Sequence, residues 1–125
     1  MRVQQPPVER DEQAQRAERA RDRHALWAAF EHAQLAQGAM PEAEDSAAVV
    51  DAAVRFVART PAPLAIIPIE DLLGLVEQPN LPGTTHEHPN WRRRLPGPID
   101  SLLQAPEPAA RMAALCEERH GRHKQ

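Results

Sequence analysis

The amino-acid sequence predicts an α/β fold that is mostly helical, with one clear buried strand at about residues 64–68. Two observations predict it. Leu64–Ile67 is a short, continuous apolar run bounded by Pro63 and Pro68, which is the pattern of a strand buried on both faces. Helix-forming segments lie on both sides of this run, and a long irregular segment follows it. This order is typical of one sector of an α/β barrel or of a doubly wound sheet, where functional loops leave the C-terminal ends of strands.

A long first helix is predicted from Glu9 to about Gln37, because this stretch is rich in Ala, Arg, Glu and Gln. The helix is polar all round until its last third. There a short apolar stripe is formed by Leu26, Trp27, Phe30 and Leu35. Gly38 and Pro41 predict the end of this helix.

A second helix is predicted after the acidic linker PEAED, with Ser46 as its N-terminal cap and Thr60 as its last residue, because Pro61 follows. One apolar face at helical spacing is formed by Val49, Val50, Val54 and Val57. Beyond the predicted strand, Glu70–Gly74 indicates a single helical turn. Two further helices are predicted at Pro98–Gln104 and Pro106–His120, the latter with Met112 and Leu115 facing a core.

The composition indicates a thin core. Hydrophobic residues make up 42% of the 125 residues, but 22 of them are Ala, and the chain has 13 Pro and a mean hydropathy of -0.59. A lone strand has no ladder partner, so the predicted strand must pair outside this chain or with another copy. We therefore predict a single partial domain, residues 1–125, with flexible tails at residues 1–8 and 121–125.

Charge and cysteine content exclude several classes of protein. The net charge is -3 with a pI near 6.1, so no global charge attracts the chain to nucleic acid or to an anionic membrane. Cys116 is the single cysteine, which excludes a disulfide framework, and no apolar run approaches the roughly 20 residues of a membrane span. We expect a cytoplasmic protein without a cofactor.

Glu77–Leu95, with the sequence EQPNLPGTTHEHPNWRRRL, is the candidate functional segment, and we call it the Pro-Gly loop. Pro82-Gly83 predicts a tight turn in which glycine lets a ligand approach the backbone. Asn80 and Asn90 offer donor and acceptor groups suited to sugar hydroxyls, and Trp91 offers a plane for a pyranose face. The alternative is a purely structural loop, in which the Asn side chains bond within their own loop and Trp91 is a core residue at the rim of a barrel.

Other patterns in the chain do not predict a site. Arg92–Arg94 is basic, but the chain has only two Phe, two Trp and no Tyr to interleave with it, so ion pairing is favoured over nucleic-acid binding. His86–His88 brings two His together without a third ligand, and Cys116 with His120 and His123 is similarly incomplete for zinc. We expect no metal site.

The run IPIEDLLGLVEQPNLPGTTHEHPNWRRRL resembles the C-terminal signature of the 4-α-glucanotransferases, known as amylomaltase or disproportionating enzyme. In that family an Asn-x-Pro-Gly-Thr turn is followed by Asn-Trp and Arg. The matching residues, which the resemblance implies to be substrate-binding, are Asn80, Pro82, Gly83, Thr84, Asn90, Trp91 and Arg92. The resemblance extends more loosely from about residue 10 to residue 118.

The resemblance implies a (β/α)8 barrel enzyme, a glycosyltransferase that moves a segment of an α-1,4-glucan to a new 4-hydroxyl with retention. Such chemistry needs a nucleophilic carboxylate and an acid/base carboxyl. In the family these two carboxyls, and a third acidic residue that helps hold the distorted sugar, belong to motifs of the type Arg-x-Asp-His, Ala-Glu-Asp-Leu and Thr-His-Asp, which do not occur here. The chain is therefore expected to be an inactive C-terminal fragment. Its partners would be α-1,4-glucans, such as maltodextrin, starch or glycogen chains, and the missing N-terminal part of the barrel.

No residue of this chain is predicted to be catalytic. The local carboxylates are Glu70, Asp71, Glu77 and Glu87, and we expect helix-start or solvated loop charges there. An alternative function is a non-catalytic small helical module that binds glucan or a protein through the Pro-Gly loop.

Overall fold

The structure is a computed structural model that describes residues 8–121, with the side chains of residues 11–121. Five helices occur in this range: α1 (Val8–His32), α2 (Ala47–Ala58), α3 (Ile69–Leu73), α4 (Ile99–Gln104) and α5 (Pro106–His120). The chain divides into two compact units at Met40 and Pro41. The prediction of a single partial domain stays a prediction, and the predicted tails fall almost entirely outside the described residues.

The first unit contains α1 and the turn that ends it. Trp27 and Phe30 are its buried aromatic residues, with ring centroids 6.5 Å apart in an edge-to-face arrangement, and the Trp27 indole N–H donates to Gly38 O at 3.1 Å. The helix ends at His32 rather than at the predicted Gln37. Gln34 adopts a left-handed φ of 58°, and a 2.8 Å bond from Leu35 N–H to Phe30 O closes the helix end in a Schellman motif.

In the second unit, α5 packs against α2, α3 and α4. Its centre is Arg111, which is only 3% exposed. Arg111 Nε donates to Asp51 Oδ1 on α2 at 2.6 Å, and Nη1 donates to Leu72 O at the end of α3 at 2.8 Å. The core around it is made of small side chains and one leucine: Ala52, Val54, Ala58, Leu72 and Ala114. Few large apolar side chains are buried in this unit, so the hydrogen bonds of one arginine join the three helices.

A second set of polar contacts joins the C-terminal ends of α2 and α5. Arg59 donates to Glu118 through Nε at 2.7 Å, and Arg55 Nη1 donates to the same carboxylate at 3.0 Å. The hydrogen bond from Arg59, followed by that from Arg55, holds the pKa of Glu118 below its ordinary value, although burial opposes this shift. Opposite charges therefore hold the two helix ends together.

The predicted strand at about residues 64–68 is wrong, and so is the α/β fold class with its barrel sector. Over residues 8–121 the structure is helical, with no strand. Leu64 and Ile66, expected to be buried, are 72% and 76% exposed. A strand requires a neighbouring strand to satisfy its backbone, and no strand exists among the described residues. Instead, Arg119 donates to the carbonyl oxygens of Ala62 and Pro63, each at 2.9 Å.

The predicted helix cap and the predicted buried faces of α2 and α5 agree with the structure only in part. Ser46 lies at the N-terminal cap of α2, but its side chain makes no capping hydrogen bond. On the predicted valine face Val54 is buried, whereas Val57 is 38% exposed. On α5, Met112 and Leu115 are only half-buried, because Arg111 and Ala114 take the central positions. None of the described helices has the length and apolar character needed to cross a membrane.

Candidate functional site

The Pro-Gly loop begins shortly after α3, whose end is fixed by a glycine. Gly74 has a left-handed φ of 68°, Gly74 N–H donates to Asp71 O at 3.1 Å, and Leu75 N–H donates to Glu70 O at 2.9 Å. A Cβ at Gly74 would lie 3.3 Å from Arg111 Nη1. The glycine that ends α3 therefore lies against the same arginine that joins the helices.

The tight turn at Leu81–Thr84 lies where the Pro-Gly pair predicts it. Both the N–H and the hydroxyl of Thr84 donate to Leu81 O, at 3.3 and 2.7 Å. Gly83 has a φ of 86°, and no atom lies within 4 Å of a Cβ built there. Glycine is therefore needed for the backbone conformation, because Pro-Gly suits a turn with a positive φ at its third residue, and the space beside it is open.

Asn90 connects this turn to the far side of the loop. Its Oδ1 accepts a hydrogen bond from Leu81 N–H at 2.8 Å. Its Nδ2 donates to Thr84 O at 3.2 Å and to Thr84 Oγ1 at 2.9 Å. A residue predicted as a sugar ligand thus makes three hydrogen bonds within its own loop, which is the arrangement expected of the structural alternative for this side chain.

Trp91 is the exposed aromatic residue of the loop. Its backbone has a left-handed φ of 57°, which is uncommon for a bulky residue. The Trp91 N–H donates to Pro79 O at 2.7 Å, and beside it His88 Nε2 donates to Gln78 O at 2.9 Å. The Trp91 side chain is 76% exposed, so the ring is not the core residue that the structural alternative required.

The other predicted site residues are less engaged. The Asn80 side chain is half-buried and makes no hydrogen bond with any described residue, so its amide is available to a ligand. Arg92 is exposed, and only its backbone N–H is bonded, to Pro89 O at 3.1 Å. Its neighbour Arg93 forms an ion pair with Glu77 at the base of the loop.

Glu87 is occupied by the backbone of the loop. Its Oε2 accepts hydrogen bonds from Thr85 N–H at 2.9 Å and from His86 N–H at 3.0 Å. The hydrogen bond from Thr85 is the largest of the contributions that hold the pKa of this exposed carboxyl below its ordinary value. A carboxylate stabilised in this way is a poor general acid near neutral pH.

A cavity of about 580 Å³ lies at the base of the loop, beside α3. It is lined by Ile69, Glu70, Leu75, Val76, Glu77, Pro79, Arg93, Arg94, Leu95 and Pro96. Its walls are largely apolar, and its Glu77 carboxylate is paired with Arg93. Five of them, Glu77, Pro79, Arg93, Arg94 and Leu95, belong to the loop, but none of the ten is predicted to bind substrate.

The two incomplete His and Cys clusters of the sequence, His86–His88 and Cys116 with His120, gain no further metal ligand among the described residues. No group of three or more His, Cys, Asp or Glu side chains converges within residues 11–121. His120 Nδ1 donates to Cys116 O at 2.8 Å inside α5, while His123 lies outside the described range.

The structure thus joins Asn90 to Leu81 and Thr84 of the turn and ties the Trp91 backbone to Pro79. It leaves the side chains of Asn80 and Arg92 without a partner among the described residues. Sequence reasoning missed His88 and Glu87, which hold the loop through backbone groups. Nothing in the sequence signals His88, because its partner is a backbone carbonyl ten residues away. Glu87 could have been suspected, because its carboxylate bonds backbone groups only one and two residues away.

The comparisons with known proteins agree with one another. A family model described as 4-alpha-glucanotransferase matches residues 10–100, which include the whole Pro-Gly loop. The 4-alpha-glucanotransferases of Mycobacterium bovis and of two Mycobacterium tuberculosis strains are each 39% identical over 94 residues. The alignment covers 74% of this chain and 12% of each relative, so the chain matches only a small part of their length. No solved structure gave a significant match. The chain belongs to the 4-alpha-glucanotransferase family.

Proposed function

We propose that this chain supplies a glucan-binding loop to a 4-α-glucanotransferase, which transfers a segment of an α-1,4-glucan to a new 4-hydroxyl of an acceptor glucan or glucose with retention. The substrates would be maltodextrin, starch or glycogen chains, in the cytoplasm. The Pro-Gly loop, with Asn80, the Pro82–Thr84 turn and the segment Asn90–Arg92, forms the binding edge.

The observation that carries this proposal is the exposure of Trp91 on a backbone that the loop holds in place. Trp91 is 76% exposed although its own N–H bonds Pro79 O, the preceding Asn90 side chain bonds the turn, and the following Arg92 N–H bonds Pro89 O. An aromatic ring presented on an ordered backbone loses little conformational entropy when a sugar stacks on it. Asn80 and Arg92 add polar groups that the described residues do not occupy.

The chemistry itself is assigned to residues outside this chain. A retaining mechanism requires two carboxyl groups about 5 Å apart on either side of the scissile bond. Of the four carboxylates near the loop, Glu77 is paired with Arg93 and Glu87 is bonded to the backbone. We therefore propose that the 125 residues alone are inactive, and that the missing part of the enzyme supplies the catalytic carboxyls.

Fluorescence quenching tests the binding proposal. The chain has two tryptophans, Trp27 at 8% exposure and Trp91 at 76% exposure, so a Trp27→Phe variant reports Trp91 alone. We expect maltoheptaose to protect Trp91 from acrylamide in this variant. Trp91→Ala should weaken maltoheptaose binding about tenfold, or about 1.4 kcal/mol. Acrylamide quenching that stays unchanged at a high concentration of maltoheptaose, together with no binding by calorimetry, would refute a glucan-binding loop.

A maltotriose assay tests the inactivity of the chain alone. We expect neither glucose nor longer maltodextrins after incubation with the purified chain. The complete Mycobacterium tuberculosis relative, assayed in parallel, is the positive control. Disproportionation by the purified 125-residue chain would contradict the assignment of catalysis to residues outside it.

A further inference from the structure

We propose that Asn90 is a positioning residue of the Pro-Gly loop, which holds the loop in its binding conformation and does not touch the glucan. This inference rests on the proposed function, because it assigns a role within the proposed binding edge. It differs from the sequence-based expectation, in which Asn90 is a sugar ligand.

The hydrogen-bond inventory of the Asn90 amide supports this role. The amide nitrogen donates to two acceptors of Thr84, its carbonyl oxygen at 3.2 Å and its hydroxyl at 2.9 Å. Oδ1 accepts from Leu81 N–H at 2.8 Å. The opposite orientation of the amide would put its NH2 against Leu81 N–H and its oxygen against Thr84 O, so the partners define one orientation. Both the nitrogen and the oxygen of the Asn90 amide are therefore engaged with the turn.

The position of Asn90 in the chain explains how it acts on the ligand contact. It precedes Trp91, whose φ of 57° is unfavourable for a residue with a Cβ and must be supported by its surroundings. The support comes from the Asn90 side chain and from the 2.7 Å bond of Trp91 N–H to Pro79 O. Removing the Asn90 amide frees the residue before Trp91, so the ring loses its fixed direction.

The hydroxyl of Thr84 belongs to the same network. It accepts from Asn90 Nδ2 and donates to Leu81 O at 2.7 Å. Thr84→Val therefore removes one partner of Asn90 without changing Asn90 itself. If Asn90 acts through the turn, then the two residues form one unit, and the effects of changing them on glucan binding are not additive.

The first experiment needs no glucan. Amide hydrogen exchange of Leu81 and Trp91 is measured by NMR in the wild-type chain, in Asn90→Ala and in Asn90→Asp. We expect exchange at both amides to be about tenfold faster in Asn90→Ala. Asn90→Asp keeps an acceptor for Leu81 N–H but loses both donors, so it should retain protection at Leu81 only in part. Amides of α5 serve as the internal control and should not change.

The second experiment is a double-mutant cycle on maltoheptaose affinity with Asn90→Ala and Thr84→Val. We expect each single change to weaken binding several-fold and the double change to weaken it little more than Asn90→Ala alone. Trp91→Ala is the matched control, which should weaken binding and leave the exchange of Leu81 unchanged.

The two experiments separate the two proposals. Unchanged exchange of Leu81 and Trp91 in Asn90→Ala would overturn the positioning role. So would additive losses of affinity in the cycle, because a direct sugar contact by Asn90 would give that result. If the wild-type chain fails to bind maltoheptaose, the proposed function fails, and the exchange rates still decide whether Asn90 holds the loop.

Discussion

The packing of α2–α5 depends on the side chain of Arg111, and the conformation of the Pro-Gly loop depends on the side chain of Asn90. The two differ in how far along the chain their partners lie. Arg111 bonds residues 60 and 39 positions away, whereas Asn90 bonds residues nine and six positions away. Arg111 is 3% exposed, while most of the loop is exposed. The loop therefore has its own local stability, and it can open without unfolding the helices.

The largest effect is expected at the centre of the helical packing. Arg111→Met keeps much of the side-chain volume but removes the bonds to Asp51 and Leu72, and leaves the Leu72 carbonyl without its donor. We expect the free energy of unfolding to fall by about 2–4 kcal/mol, measured by thermal or urea denaturation followed by circular dichroism. Arg16→Met is the control, because Arg16 pairs with Glu12 at 3.8 Å with both side chains exposed. Equal stability of the two variants would contradict a central role for Arg111.

Two glycines with similar backbone conformations sharpen the comparison. Gly74→Ala should cost about 2 kcal/mol of global stability, because its Cβ adds crowding at Arg111 Nη1 to the strain of a left-handed φ. Gly83→Ala has the strain without the crowding and should cost about 1 kcal/mol, confined to the loop. Denaturation measures the first effect, and faster exchange of Thr84 N–H measures the second. A larger global loss for Gly83→Ala would show that the loop and helices unfold together.

A pH dependence is expected from Glu118. Its pKa in the folded state is lowered, first by the hydrogen bond from Arg59, so its stabilising contribution is present above the ordinary glutamate pKa of about 4.3 and is lost as pH falls through the folded-state value. Glu118→Gln should lower stability by about 1 kcal/mol at pH 7. This difference in melting temperature from wild type should shrink towards pH 3. Glu12→Gln, in an exposed pair, should show little difference at either pH, and a Glu118 difference independent of pH would contradict the ion pair.

The smallest effect is expected at Trp91. Trp91→Gly and Trp91→Ala both remove the ring, but glycine adopts the left-handed φ of 57° without the steric cost that alanine, like tryptophan, incurs there. We expect the N–H of residue 91 to exchange more slowly in the glycine variant, corresponding to about 1 kcal/mol of local stability. Both variants should weaken maltoheptaose binding to the same extent, by about tenfold. Faster exchange in the glycine variant would mean that the loop does not strain this residue.

Helices were the part of the fold most accessible from sequence. The prediction Pro106–His120 agrees with α5, and Pro98–Gln104 differs from α4 by one residue, because prolines mark both helix starts. The end of α1 was missed by five residues, since the left-handed residue that closes it is Gln34 and not the glycine expected there. Whether a Gln adopts this conformation depends on the packing of the turn.

The site shows the same division. The motif located the loop and its Pro-Gly turn, because the conformation of a turn is determined by its own four residues. It did not distinguish the roles of Asn80 and Asn90, since both are Asn in an irregular segment. Only the folded loop turns Asn90 towards Leu81 and Thr84 and leaves the Asn80 amide without a partner among the described residues.

The sequence by itself determined the approximate positions of the helices, the turn at Pro82-Gly83 and the family to which the chain belongs, because each depends on neighbouring residues or on a short motif. The tertiary structure decided that Leu64–Ile67 forms no strand, that Arg111 is buried between three helices, and that Trp91 is exposed. These features depend on partners far along the chain or on the lack of a partner strand among the described residues, and no local pattern contains that information.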